Sequence, residues 1–374
     1  MSHRTGSGEL TKEGGPGRSL SRLARRLLGA LLLAWSACWC CPPAFGARMA
    51  LLPVRDFTGD PASVAVLVAA LQAELSAEYE LADSELLRDA LRRWRIRDAR
   101  SVPPELLRRV ADELGVDWFF AVTLHRCDLE PLPMVTVSGQ AMHRGEPRLA
   151  WAGFQSVTAM DEVGLLGRGW VGDLDALEQK AAGRLAGSFA RRAEPRRKSP
   201  RPASRLFRRE ALDLGSAGTI AVLPFGGATG VGATNAGLMV TDLACAVLWQ
   251  CGASLALPGA VDELLGQAGV GLRGGIDELT RSALLEELEA GLLFTGTVET
   301  FEFIQQGAEP EPAVALAVWL IETRTGRLLA YGGSEREGWD RQRLFGRGRV
   351  HSPERLAELI MESLVADLGE KGGY

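Results

Sequence analysis

Met49-Ala50-Leu51-Leu52-Pro53-Val54 recurs 171 residues later as Ile220-Ala221-Val222-Leu223-Pro224-Phe225. Each phrase is a continuous apolar run, the pattern of a strand buried on both faces. Working outward, Val116-Asp117-Trp118-Phe119-Phe120-Ala121-Val122-Thr123-Leu124 is answered by Ala290-Gly291-Leu292-Leu293-Phe294-Thr295-Gly296-Thr297-Val298, 174 residues on. Arg148-Leu149-Ala150-Trp151 is answered by Leu328-Leu329-Ala330-Tyr331, 180 residues on. Offsets that grow slowly in one order describe a duplicated unit with small loop insertions.

Periodicity fills in each unit. In the first, Val64, Val68, Leu71 and Leu75 form a helical stripe, and a short strand follows at 79–81. Asp83 or Ser84 caps a helix through Leu86, Leu87, Ala90, Leu91 and Trp94, and Pro103-Pro104 opens the next one. Strands are expected at 117–127, 133–143 and 147–158, then a helix from Leu174 to about Phe189. The second unit repeats the order. Strand 219–225 leads to helix 234–251, strand 254–257 and helices 259–268 and 277–289. Strands 291–304, 312–323 and 327–336 and a helix at 352–368 complete it. The fold class expected is α/β (α+β): two tandem three-layer-type domains, each a mixed sheet in the order βαβααβββα. The boundaries read as an export signal at 1–47, a first domain at 48–190, a basic proline-rich linker at 191–215 and a second domain at 216–374.

The net charge of −5 conceals an asymmetry. Residues 1–48 hold seven basic and two acidic side chains, and residues 191–209 hold nine basic and one acidic. The remainder carries 26 basic and 44 acidic groups, about −18, which argues against nucleic acid as a partner. The linker reads as a solvated, self-repelling spacer, with a tether to anionic lipid headgroups as the sharper alternative. At the amino terminus Arg22, Arg25 and Arg26 precede an apolar run from Leu27 to Cys41, then Pro42-Pro43-Ala44-Phe45-Gly46-Ala47. A basic flank, an apolar core and a small-residue exit make an export signal. A helix of about fifteen residues reaches only ~22 Å, short of the ~30 Å hydrocarbon layer. Ser36-Ala37-Cys38 matches the end of a bacterial lipobox except that Trp35 precedes it, so Cys38 is the lipidation candidate. Plain cleavage near Gly46 or Ala47 is the alternative. Beyond the signal only Cys127, Cys245 and Cys251 remain, read as core residues rather than a disulfide framework.

The phrase at 220–225, the strand Leu293-Phe294-Thr295-Gly296-Thr297-Val298 and the hairpin Val318-Trp319-Leu320-Ile321-Glu322-Thr323-Arg324-Thr325-Gly326-Arg327-Leu328-Leu329 together carry a resemblance. They resemble the family of the curli secretion lipoprotein CsgG, whose relatives include small periplasmic lipoproteins that activate cell-wall synthases and the amino-terminal domain of TolB. The resemblance covers the second unit nearly end to end. The first matches more loosely, with Val122 where the second has Gly296. It implies an envelope role and no reaction, because the matching residues bear fold and no catalytic group. The roughly seven-residue loop expected between strands 291–304 and 312–323 leaves no room for membrane-spanning hairpins of ~10-residue strands.

Few constellations suggest chemistry. Gly226-Gly227-Ala228-Thr229-Gly230-Val231-Gly232-Ala233-Thr234 lies between a strand and a helix, where backbone N–H groups can cradle phosphate. As a P-loop it has Ala233 where the lysine must stand, and as a dinucleotide fingerprint it has Asn235 in the third glycine's place. Gly227, Gly230 and Gly232 mark it as a candidate loop site. The equivalent first-unit loop carries Asp56 and Asp60. His125 and Cys127, two apart on one strand, share a face with Asp128 adjacent, too few ligands for a metal. Trp170, Trp339 and Phe345 are candidates for an interaction surface, and Trp151 for either core or surface. The expectation is an exported, non-catalytic envelope protein acting in binding or assembly, with no cofactor and no metal. It is placed in the periplasm, or at the outer membrane through a lipid anchor. Its partners are other envelope proteins, and the membrane through that anchor or an uncleaved signal. A cell-wall synthase regulator of the same fold, or a nucleotide-using enzyme acting through loop 226–234, is the alternative.

Overall fold

In each half the repeated apolar phrase becomes a strand held between two parallel neighbours, which is why it lacks an exposed polar face. The computed structural model describes residues 46–96, 102–161, 163, 169–191, 205–208, 212–227, 235–268, 276–306, 309–340 and 348–369. The expected signal, with Cys38, lies outside them.

The first sheet contains β1 (Arg48–Leu51), β2 (Arg55–Asp56), β3 (Glu80–Leu81), β4 (Trp118–Asp128), β5 (Met134–His143) and β6 (Leu149–Thr158). Its order is β3-β1-β4-β5-β6, with the short β2 also on β4. Helices α1 (Pro61–Leu75), α2 (Ser84–Arg93), α3 (Pro104–Leu114) and α4 (Leu174–Ala190) belong to this half. The second sheet contains β7 (Arg205–Arg208), β8 (Thr219–Val222), β9 (Ser254–Leu255), β10 (Ala290–Gln306), β11 (Glu309–Glu322) and β12 (Leu328–Glu337). Its order is β7-β12-β11-β10-β8-β9. Its helices are α5 (Ala236–Gln250), α6 (Pro258–Gln267), α7 (Glu278–Leu288) and α8 (Pro353–Gly369). Apart from β2 and β7, the two halves run through the same elements in the same order.

Local chemistry sets the helix ends. Asp60, Asp83, Asp173 and Asp277 each accept a backbone amide in the first turn, satisfying donors the helix cannot. The cap before α2 is thus Asp83. Pro104 and Pro258 occupy first positions, where a missing N–H costs nothing, and α3 stops at Gly115 with φ 63°.

Two irregularities recur. Sheet 1 shifts register between Leu124 and Arg126 and between Ala141 and Met142. Sheet 2 does so between Val298 and Thr300 and between Leu320 and Ile321, the equivalent places. Strands β10 and β11 run on to Gln306 and Glu309, so the expected seven-residue loop narrows to two residues. Gln305 and Gln306 continue the ladder opposite Pro310 and Glu309. Within the stretch read as a linker, Arg205–Arg208 forms β7, pairing antiparallel with β12 through Leu206 and Phe207.

The halves stack. Helices α1 and α4 cover one face of sheet 1 through Leu67, Leu71, Leu75, Leu177, Leu185 and Phe189, with Trp151 in their midst. The other face of sheet 1, with Phe119, Ala121 and Phe154, shares a single core with α2, α3, α5, α8 and the near face of sheet 2. Helices α6 and α7 cover part of the far face of sheet 2 through Val261, Leu264 and Leu284. Twelve of the fifteen residues of α5 are buried. A helix apolar all round is one enclosed on all sides, and α5 lies between the two sheets.

Candidate functional site

The polar residues enclosed at this junction form its most distinctive feature. Inward-facing positions on β5 read Thr136, Ser138 and Gln140, an unusual polar stripe on a strand buried along nearly its whole length. Its partner is Asp242 of α5, 2 % exposed. Ser138 Oγ donates to Asp242 Oδ2 at 2.7 Å, and Gln140 Nε2 donates to Oδ1 at 3.4 Å. His125 Nε2 lies 2.9 Å from Ser138 Oγ and 3.2 Å from Asp242 Oδ2. Serine, histidine and aspartate are thus gathered, but all three meet at one imidazole nitrogen. A catalytic triad needs the acid on the opposite ring nitrogen, and here Nδ1 has no hydrogen-bond partner among the described residues. The cluster is a joint. Trp249 Nε1, at the end of α5, adds a bond to the Ala150 carbonyl of β6 at 3.0 Å.

The bulge at Leu124–Arg126 explains which side chains reach this joint. An extra residue lets His125 and Arg126 both face sheet 2, whereas strict alternation would place them on opposite faces. Arg126 Nη1 donates to Glu354 Oε1 at the start of α8 at 3.1 Å, and its Nε donates to Asp128. Burial works against the guanidinium charge, but Glu354 and Asp128 outweigh it and raise the Arg126 pKa. Cys127 consequently turns to the other face, so it does not share a face with His125 as the two-residue spacing suggested. Its thiol lies 3.1 Å from Glu178 Oε1 of α4 and 3.3 Å from Ser63 Oγ of α1. Burial, with the Glu178 carboxylate beside it, pushes the thiol up to about 12, so it is a poor nucleophile. Burial likewise raises the Glu178 carboxyl. Cys245 is buried, Cys127 is half-buried against the core beneath α1 and α4, and Cys251 is exposed, so the reading of all three cysteines as core fails for Cys251.

A cleft of about 380 Å³ opens beside the joint, lined by His125, Arg126, Asp128, Asn235, Glu302 and Glu354 among others. Asn235 and Ala236 place the amino terminus of α5 in its wall. The surrounding carboxylates outnumber the one guanidinium, which is an environment for water or a cation rather than phosphate. Among the described residues no group of three or more His, Cys, Asp or Glu side chains is arranged to hold a metal. No helix among them is long and apolar enough to cross a membrane.

The residues expected to matter fall in several places. Gly227 is described at the end of the strand extension in which Gly226 N donates to Gly296 O at 2.9 Å; Gly230, Gly232 and Phe345 lie outside the described residues. Trp170 stands ahead of α4 and is 53 % exposed, while Trp339 follows β12 and is 36 % exposed. The Trp339 indole donates to Glu337 Oε2 at 2.6 Å. Trp151 is core, stacked on Phe120 at 5.5 Å and edge-on to Phe189 at 5.3 Å. A different aromatic group went unnoticed. Trp319, Tyr331 and Phe207 stand directly opposite one another on β11, β12 and β7. Trp319 and Tyr331 rings lie 5.6 Å apart, and Tyr331 and Phe207 are 42 % and 55 % exposed. This row occupies the far face of sheet 2, beside the alanines at 315 and 317. Alternation along β11 and β12 could have placed Trp319 and Tyr331 on one face, but their register and the existence of β7 were not readable.

The fold is a mixed α/β arrangement of two six-stranded sheets joined by a buried polar seam. No family model matches this sequence, and no curated protein does. Among solved structures, a PelC dodecamer from Paraburkholderia phytofirmans is similar at 18 % identity and TM-score 0.32, over 45 % of this chain and 98 % of that one. Lipoprotein GNA1162 from Neisseria meningitidis is similar at 16 % identity and TM-score 0.26, over 30 % of this chain and 81 % of that one. The LpoB C-terminal domain from Escherichia coli is similar at 16 % identity and TM-score 0.24, over 30 % of this chain and 82 % of that one. At these scores the likenesses lend no weight to a functional reading, which rests on the chain's own residues.

Proposed function

We propose that this chain is an exported, non-catalytic protein of the bacterial envelope that acts by binding or assembly. It would be a CsgG/TolB-like scaffold used twice, anchored by lipid if Cys38 is modified. The observation that carries the binding role is the Phe207–Tyr331–Trp319 row. Large aromatics in register on one sheet face, two of them exposed, are costly to leave in water and typical of contact surfaces. Support against catalysis comes from the joint, where His125, Ser138, Asp242, Arg126 and Glu354 are spent connecting the halves. Support against nucleotide use comes from Asp128, Glu302 and Glu354 around the start of α5. Support for export comes from the Arg22–Ala47 segment.

Two measurements test this reading. Fused ahead of a phosphatase that is active only outside the cytoplasm, the chain should give reporter activity that deleting 27–41 abolishes. A fully cytoplasmic reporter contradicts export. Adenine or guanine nucleotides should leave the melting temperature unchanged, and a shift lost in Gly232→Val would instead establish the enzymatic alternative.

A further inference from the structure

We infer that this chain stacks head to tail with further copies of itself, the far face of sheet 2 in one copy receiving α1 of the next. The inference deepens the binding role proposed above by naming the partner.

The argument starts from the junction inside the chain. There a helix that follows the opening strand, α5, is laid against the face of sheet 1 that carries Phe119, Ser138 and Phe154. This contact is heterologous: a helix face of one half meets a sheet face of the other. Such a contact uses only one surface of each half and leaves its counterpart at either end of the molecule. Both counterparts are present, and among the described residues each keeps exposed side chains: Ala62, Ala65 and Ala69 on α1, and Tyr331 and Phe207 on sheet 2.

One is α1, the first-half equivalent of α5. Its sequence, Pro-Ala-Ser-Val-Ala-Val-Leu-Val-Ala-Ala-Leu-Gln-Ala-Glu-Leu, contains only three polar side chains in fifteen residues. It is as apolar all round as α5, yet only Ser63, Leu67, Leu71 and Leu75 are buried, a single stripe against its own sheet. Ala62, Ala65 and Ala69 on the other side are exposed. A helix with no polar face is expected to be enclosed. Here one side has no cover among the described residues.

The other is the far face of sheet 2. Register and bulges map it onto the covered face of sheet 1: Ser138 pairs with Thr123 and Phe154, and Ala317 pairs with Thr297 and Gly333. On this mapping Trp319 stands where Gln140 meets α5, and Tyr331 stands where Ala152 lies, one residue on from the Trp151 that the sequence echo set against it. Among the described residues no helix is packed over the aromatic row on the corresponding face of sheet 2: Tyr331 and Phe207 are exposed there, while the smaller Ala315 and Ala317 are buried. Because the two ends differ, the contact does not close on itself in a pair, and it repeats into a ring or filament.

The test uses the full chain extracted in mild detergent and two variants, Ala69→Glu on α1 and Tyr331→Glu on β12, both at solvent-exposed positions. Sedimentation should show the unaltered chain in species of more than two copies and each variant as a single copy. Mixing the variants should restore a one-to-one dimer and nothing larger, since each supplies the end the other has lost. A monomeric unaltered chain at all concentrations overturns the inference. So does association that persists in both variants, which would place the contact in the shared amino-terminal segment, and so does a mixture that stays monomeric. Circular dichroism checks each variant's fold, with Ala65→Glu replacing Ala69→Glu if needed. The readout is on extracted protein, so its failure leaves the export test standing.

Discussion

Ser138 of β5 donates to Asp242 of α5 across 2.7 Å, in a seam where both side chains are almost fully enclosed. The two residues belong to different halves, so this bond ties the folding of one sheet to that of the other. Truncating Asp242 would take the acceptor from Gln140 Nε2 and leave Ser138 only His125 Nε2, and a buried donor without an acceptor costs about 1–3 kcal/mol. The expected outcome for Asp242→Ala is a loss of about 1–3 kcal/mol, with Asp242→Asn milder because one carbonyl oxygen remains. Urea denaturation should show a single transition for the native chain, since the largest hydrophobic core spans both sheets. Two separated transitions would mean that the halves fold independently.

Gly296 and Phe225 form a size-matched pair. A Cβ at Gly296 would lie 2.3 Å from the Phe225 ring and 2.3 Å from the Ala317 carbonyl oxygen. In the first half the equivalent positions hold Val122 and Val54, in one cluster, a larger strand residue beside a smaller partner. Gly296→Ala should therefore destabilise by about 1–3 kcal/mol through overpacking. Phe225→Val should recover part of that loss in the double variant, although the contact with the backbone carbonyl remains. Thermal melts of the four chains measure the coupling, and strictly additive effects would count against the pairing.

The Arg126–Glu354 pair lets charge and burial be separated. Glu354 is fully enclosed, with Arg126 as its neutralising partner. Removing one member leaves a buried charge uncompensated, so Arg126→Met alone should cost about 3–5 kcal/mol. Arg126→Met with Glu354→Leu should cost much less, because the penalty attaches to the orphaned charge. A double variant as unstable as the single one would show that the pair's hydrogen-bond geometry matters more than its charge balance.

Glu178 sets a pH dependence. Burial raises its carboxyl pKa above the ordinary 4.5, so in the window just above that value the native state holds a proton that the unfolded chain releases. Its contribution to stability is undiminished below that window and declines as pH rises through it. Glu178→Gln removes the titration, so the variant should gain on the native chain between pH 4 and pH 8. Paired melts at the two pH values check the sign, and a variant that loses ground at pH 8 would reverse it.

Most of the element order was legible because it rests on local patterns. Apolar runs marked the paired opening strands, Asp83 or Ser84 marked one helix cap, and the hairpin around Thr325-Gly326 marked the β11–β12 turn. Two kinds of information were not local. A bulge is an event between two strands, so nothing in His125-Arg126-Cys127 alone shows that the first two share a face. The cover of a surface depends on what packs against it. Thus α1 and α5 read alike, though one is sandwiched and the other is open on one side. The aromatic row needed the β11–β12 register and a third strand from a stretch whose arginines suggested only solvation. The glycine loop caught attention through composition, yet the acidic groups around the start of α5 that disfavour phosphate come from residues more than fifty positions away.

The account turns on the far face of sheet 2 being a contact surface in the cell. The direct measurement is photo-crosslinking in living cells, with a photoreactive side chain at Tyr331 and, for comparison, at Leu279 of α7, which is 81 % exposed. The expected result is a discrete adduct from position 331 that Trp319→Glu abolishes, with none from position 279. Equal labelling at both positions, or no adduct from 331 in a chain shown to be folded and exported, would contradict it.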